Sequence, residues 1–153
     1  MNRPRIWYVV ADGGRARIVQ KRDRQSDRQE AFDTLQEMVS ADIHRATHDL
    51  GSERPGRGRE SAASARHAVQ PRQDLHRAEK QNFAYEVAAW LNAANTRDEF
   101  DALVLVAPAH ALADLRQALD EPTQRKITAQ LQKDLTKVPN ADLAGHLADV
   151  SSA

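Results

Sequence analysis

The run Ala102 to Ala107, ALVLVA, constrains this chain more than any other stretch. Its six apolar residues lie between Asp101 and Pro108 and leave no polar face. A strand of that kind is covered on both sides, so it belongs inside a sheet with helices packed above and below it.

The neighbouring segments supply the other layers. RIWYVVA (5–11) and RARIVQK (15–21) are β-branched and aromatic, and they meet at DGG. Two adjacent glycines between strand-like runs suit a hairpin turn with positive φ. After the polar stretch 22–30, AFDTLQEMVS reads as a third strand through Phe32, Leu35 and Val39. From residue 74 the period changes to that of a helix, with Phe83, Val87, Trp90, Leu91 and Ala94 on one stripe and His76, Arg77, Glu79 and Lys80 on a wetter side. Asp74 is expected in its first turn and its end near Asn95.

Beyond ALVLVA, PAHALADLRQAL (108–119) carries Leu112, Leu115 and Leu119 at helical spacing. Ile127, Ala129 and Leu131 alternate with polar residues, as in a half-buried strand. NADLAGHLADV (140–150) closes as a helix with Asn140 as its expected cap. A long crossover helix between the first strands and ALVLVA requires a parallel connection. The expected architecture is therefore one three-layer α/β domain over 1–153, a mixed five-stranded sheet with helices on both faces.

Composition narrows the function. Lys and Arg number 22 and so do Asp and Glu, which argues against a generic nucleic-acid-coating protein and makes any such contact local. Leu, Ile, Val and Phe make up 30 of the 153 residues, few for a globular chain, yet the zero net charge argues against disorder. No cysteine is present, so neither disulfides nor thiolate zinc sites arise. IWYVVA is too short for a secretion signal or a membrane span, and the expectation is a cytoplasmic protein without membrane contact.

The local basic feature lies in 51–73. GSERPGRGRESAASARHAVQP holds Arg54, Arg57, Arg59 and Arg66 among glycines. Forked guanidinium donors suit phosphates, and glycine lets backbone N–H groups approach an anion closely. The expected partner is RNA; as a bare surface loop the same residues would simply be solvated.

WYVVADGGRARI, ALVLVAPAHALADLR, KDLTK and the closing LAGHL together resemble the bacterial host attachment protein family over nearly the whole chain. That family is similar to the middle domain of archaeal and eukaryotic class I peptide release factors, whose fold is related to ribonuclease H. The resemblance marks Trp7, Asp12, Arg17, Asp134 and Thr136 as family-motif positions without assigning them roles. It also sets Gly56, Arg57, Gly58, Arg59, Glu60 and Ser61 beside the release-factor string GRGGQS. Here arginine replaces the second glycine and glutamate the glutamine. An ionised glutamate only accepts hydrogen bonds, whereas a glutamine amide also donates. Peptide release is therefore not expected. What the resemblance leaves is a non-catalytic domain that contacts the ribosome or transfer RNA through Arg54, Gly56, Arg57, Gly58, Arg59, Glu60 and Arg66, with no cofactor. A cytoplasmic protein-interaction factor acting indirectly on attachment is the alternative.

Other chemistry is thinner. Asp12 ends a strand where ribonuclease H-like nucleases hold a metal, but Glu30, Asp101 and Asp134 form no convincing partner set. An aspartate opening a DGG turn more simply bonds its own backbone. His44 and His48 lie four apart with Asp42 and Asp49 nearby, but without the glutamate of HExxH or a third ligand they read as surface histidines. No catalytic residue and no metal site is assigned.

Overall fold

The computed structural model describes residues 3–22, 31–41 and 69–151. Five strands, β1 (Ile6–Ala11), β2 (Arg15–Lys21), β3 (Phe32–Val39), β4 (Ala102–Val106) and β5 (Ile127–Leu131), form one sheet in the order β3-β2-β1-β4-β5. β1, β2 and β3 pair antiparallel in sequence, while β4 runs parallel to β1 and β5 parallel to β4. The sheet is thus mixed, with its reversal of strand order beside β1.

ALVLVA lies where its composition puts it. Every residue of β4 is buried, because both sheet faces are covered. One face carries Trp7, Val9, Ile18, Leu103 and Leu105 against α1 (Val69–Thr96) and α2 (Ala109–Ala118). The other carries Tyr8, Val10, Val19, Val104 and Val106 against Leu135, Leu143 and Leu147, the last two from the closing helix α4 (Leu143–Ser151). Burying each such Val or Leu contributes about 1.5–3 kcal/mol. Trp7 stacks on Trp90 at 5.6 Å and leans on Phe100 at 4.9 Å, so Trp7 and Phe100 are core residues with Trp90 packed against them.

Several local expectations are corrected. The hairpin turn uses no positive φ at its glycines; the side chain of Asp12 organises it instead. The long helix starts at Val69 rather than 74, so the expected 51–73 loop overlaps it and Asp74 lies beyond the first turn. Pro71 fits there because the first N–H groups of a helix have no intrahelical acceptor to lose. At its other end Asp98 takes φ 56 and Glu99 N–H donates to Ala94 O at 3.1 Å, a left-handed closure that aspartate tolerates. A short helix absent from the sequence reading, α3 (Glu121–Gln124), is capped by Asp120, whose carboxylate accepts from Thr123 N–H at 2.9 Å. Asn140 caps nothing; it opens a 3-10 turn (Asn140–Asp142) ahead of α4, with its side chain turned to the sheet.

Candidate functional site

Residues from two distant parts of the chain, Asp12 and Arg17 of the hairpin and Asp134 and Thr136 beyond β5, meet at the carboxyl end of β1. Asp12 follows that strand directly. Its Oδ1 accepts from the N–H groups of Gly14 at 2.8 Å and Arg15 at 2.7 Å, and Asp12 N–H donates to Arg15 O at 2.9 Å. Its Oδ2 faces the Thr136 hydroxyl at 3.3 Å. Thr136 in turn lies 2.5 Å from Asp134 Oδ1 through its hydroxyl and 3.0 Å through its N–H. A hydroxyl carries one proton, so it donates to one carboxylate at a time, with Asp134 the nearer acceptor. Buried Leu135 anchors this tripeptide in the second core.

Arg17 completes the group. On β2 it pairs with Val10 and points to the α4 side of the sheet. Its guanidinium donates to Thr136 O at 2.9 Å, to Asn140 Oδ1 at 3.0 Å and to Val138 O. Asn140 Nδ2 extends the chain of bonds to Thr34 Oγ1 on β3 at 2.7 Å. Burial lowers the Arg17 pKa, with Glu37 opposing that shift, and the residue stays cationic. Asp12, Arg17, Asp134 and Thr136 are therefore one network that ties the hairpin to the segment before α4. Trp7 lies apart from it, in the core, its indole N–H without a hydrogen-bond partner among the described residues.

Of the acids considered around Asp12, Asp134 reaches it through the Thr136 hydroxyl, while Asp101 lies apart. Asp101 precedes β4 at the opposite sheet end, the length of a strand or roughly 17 Å away. There Arg5 holds it through its backbone N–H at 2.7 Å and its guanidinium at 3.1 and 3.2 Å, which lowers the Asp101 pKa to about 2. Among the described residues no three His, Asp or Glu lie close enough to hold a metal ion. Glu30, Asp42, His44, His48, Asp49 and the whole set Arg54, Gly56, Arg57, Gly58, Arg59, Glu60 and Arg66 lie outside the described residues.

On the other side of the DGG turn the sheet opens into a cleft of about 230 Å³ between α1 and α2. It lies at the carboxyl ends of β1 and β4, where strand order reverses, the usual ligand position in open α/β sheets. Lys80 and Phe83 line it from α1, His110 and Asp114 from α2. Gly13 packs closely on α1: a Cβ there would come within 3.1–3.2 Å of the Lys80 methylenes and press that side chain aside. A shallower second cleft adjoins it, lined by Gly14, Ser40, His76 and Glu79. Sequence reading missed this region, since Lys80 and Asp114 carry no motif.

From Lys80 back to Val69 the helix continues for about 16 Å at ~1.5 Å per residue. Residues 75–78 are exposed on every side, Leu75 at 58%. This arm bears His76 and Arg77, and the 51–68 segment leads into it. No helix among the described residues is long and apolar enough to cross a membrane.

No curated protein matches the chain. Among solved structures, the archaeal translation termination factor aRF1 is similar with a TM-score of 0.43 and 11% identity, over 96% of this chain and 39% of that one. A second structure, of an archaeal protein, gives 0.42 and 11% over 96% and 38%. The chain thus spans about two fifths of either. A family model described as "Protein required for attachment to host cells" matches residues 7–147, and the chain belongs to that family.

Proposed function

We propose that this protein is a non-catalytic RNA-binding domain of the translation apparatus, gripping ribosomal or transfer RNA with the arginines of 51–73 and the adjoining arm of α1. The arm is the observation that carries the reading. Residues 75–78 bury no face against the described core, and bridging to something else is one way in which a helical stretch exposed all round persists. Exposed Arg15, Arg77 and Lys80 lie around the same end of the molecule. Arg54, Arg57, Arg59 and Arg66 lie just ahead of the arm in sequence, and together these groups present cations to phosphate. With Glu60 in the place of the release-factor glutamine, the segment is a binding element and not a hydrolytic one. Transfer RNA binding measured against salt tests this: four phosphate contacts give a log–log slope of roughly −3. A flat salt response, or no binding, rejects it.

A second reading is favoured by the open edge of the sheet. β3 is an edge strand in which Leu35 and Val39 are 40% and 48% exposed, and such an edge accepts a strand from a protein partner. The family description, attachment to host cells, fits this interaction role. Leu35→Lys with Val39→Lys abolishes attachment if this reading holds, whereas the RNA reading leaves attachment insensitive to that pair.

A further inference from the structure

The cleft between α1 and α2 is a concavity among the described residues, apart from the β3 edge. Its walls are apolar, from Phe83, Val87 and Leu115, and its polar groups are few and convergent. That combination is typical of a small-ligand site. Lys80 offers an exposed ammonium and Asp114 a half-buried carboxylate. Asp12 also lines the cleft, but its carboxylate is held by the turn and Thr136. A ligand matching this lining carries an anion for Lys80, a flat apolar body for the walls, and hydrogen-bond donors for Asp114.

We propose that this cleft binds a single nucleotide, with the phosphate at Lys80, the base between the apolar walls and its exocyclic amino group donating to Asp114. His110, at the start of α2, lines the same space as a further hydrogen-bonding group for the sugar-phosphate. The volume of about 230 Å³ holds one base with part of its ribose. A carboxylate accepts from the amino group of cytosine and meets a carbonyl oxygen at the same place in uracil, so the cleft prefers cytidine over uridine nucleotides. The choice of a nucleotide rests on the RNA reading above, in which the neighbouring arm would deliver an unstacked base.

The test is an amide NMR titration of the full chain with cytidine monophosphate, then with uridine monophosphate. The expected result is saturable shifts confined to residues 12–13, 80–87 and 108–115, with uridine monophosphate about tenfold weaker. Asp114→Asn erases that preference. Ala111→Met, which fills the cleft from α2, abolishes the shifts while the remaining spectrum reports an intact fold. Absence of saturation at roughly 10 mM cytidine monophosphate, the weak limit of specific binding, overturns the proposal. So do shifts elsewhere, or shifts unchanged in the Ala111→Met protein. Transfer RNA binding lost only on changing Arg54, Arg57 and Arg59, with no mononucleotide binding, sinks this site alone. Mononucleotide binding without RNA binding sinks the larger reading alone.

Discussion

Replacing Arg17 with alanine removes three donated hydrogen bonds, to Thr136 O, Asn140 Oδ1 and Val138 O. Each bond from a partly buried charged donor is worth about 1 kcal/mol once solvent access is allowed for. The expected loss is therefore about 3 kcal/mol, or roughly 6–12 °C in Tm for a chain of this size. The loss is local in origin. Residues 136–140 connect β5 to α4, whose Leu143 and Leu147 fill the second core at 0% and 1% exposure. Freed carbonyls there loosen the entry to α4 before they disturb β1. Arg17→Lys keeps the charge but reaches one or two acceptors, so it costs about 2 kcal/mol. Urea unfolding gives the stability change, and native-state hydrogen exchange shows whether amides of 143–147 lose protection ahead of those in β1 and β4. An Arg17→Ala cost below about 0.5 kcal/mol, the range of ordinary surface substitutions, refutes the assignment of Arg17 as the tie between β2 and the C-terminal layer.

Acid stability reports on the other end of the sheet. The Asp101 pKa is lowered to about 2, first by the side-chain bond from Arg5 and then by its backbone N–H. A folded pKa below the unfolded value of about 3.9 contributes stability above that pH and loses it as pH falls toward 2. Urea midpoints of native protein and Asp101→Asn should therefore converge between pH 5 and 2; a constant separation contradicts the pairing. Gly13→Ala forces the Lys80 stem aside, at a cost of about 0.5–1 kcal/mol that shrinks in a Lys80→Ala background, since the two residues touch. Strict additivity in that double-mutant cycle would show that the glycine answers to something else. Leu147→Ala, in the second core, costs about 2–5 kcal/mol by thermal or urea unfolding; a cost under 1 kcal/mol would mean that α4 is not integral to the fold.

The sheet and its layers were legible because period and composition agree there. A fully apolar β4, an alternating β5 and the stripe from Phe83 to Ala94 each admit one placement. The misreadings share a cause, namely side chains with two competing uses. Asn140 has the chemistry of a cap, but Arg17 and Thr34 lie within its reach and take it. The two glycines of DGG suggest positive φ, yet the Asp12 carboxylate closes the turn without it, and Gly13 is small for the sake of Lys80. Helix α1 begins at Val69 because Pro71 is compatible with a first turn, whereas the apolar stripe that marks a helix in the sequence starts only at Phe83. As for the site, Asp12 and Thr136 are 124 residues apart, and the parallel pairing of β1 with β4 and of β4 with β5, with the return of the chain after β5, brings them together. The family resemblance marked Asp12, Arg17, Asp134 and Thr136; their joint geometry gives them a task, holding the hairpin to the last layer.

The proposed role on RNA in translation is checked by sedimentation with ribosomes on sucrose gradients at low and moderate salt. The native protein is compared with a variant in which Arg54, Arg57 and Arg59 are alanine. Comigration with ribosomes that weakens with salt and disappears in the variant is the predicted result. Both proteins remaining at the top of the gradient at low salt would contradict it and shift the search to a protein partner at the β3 edge.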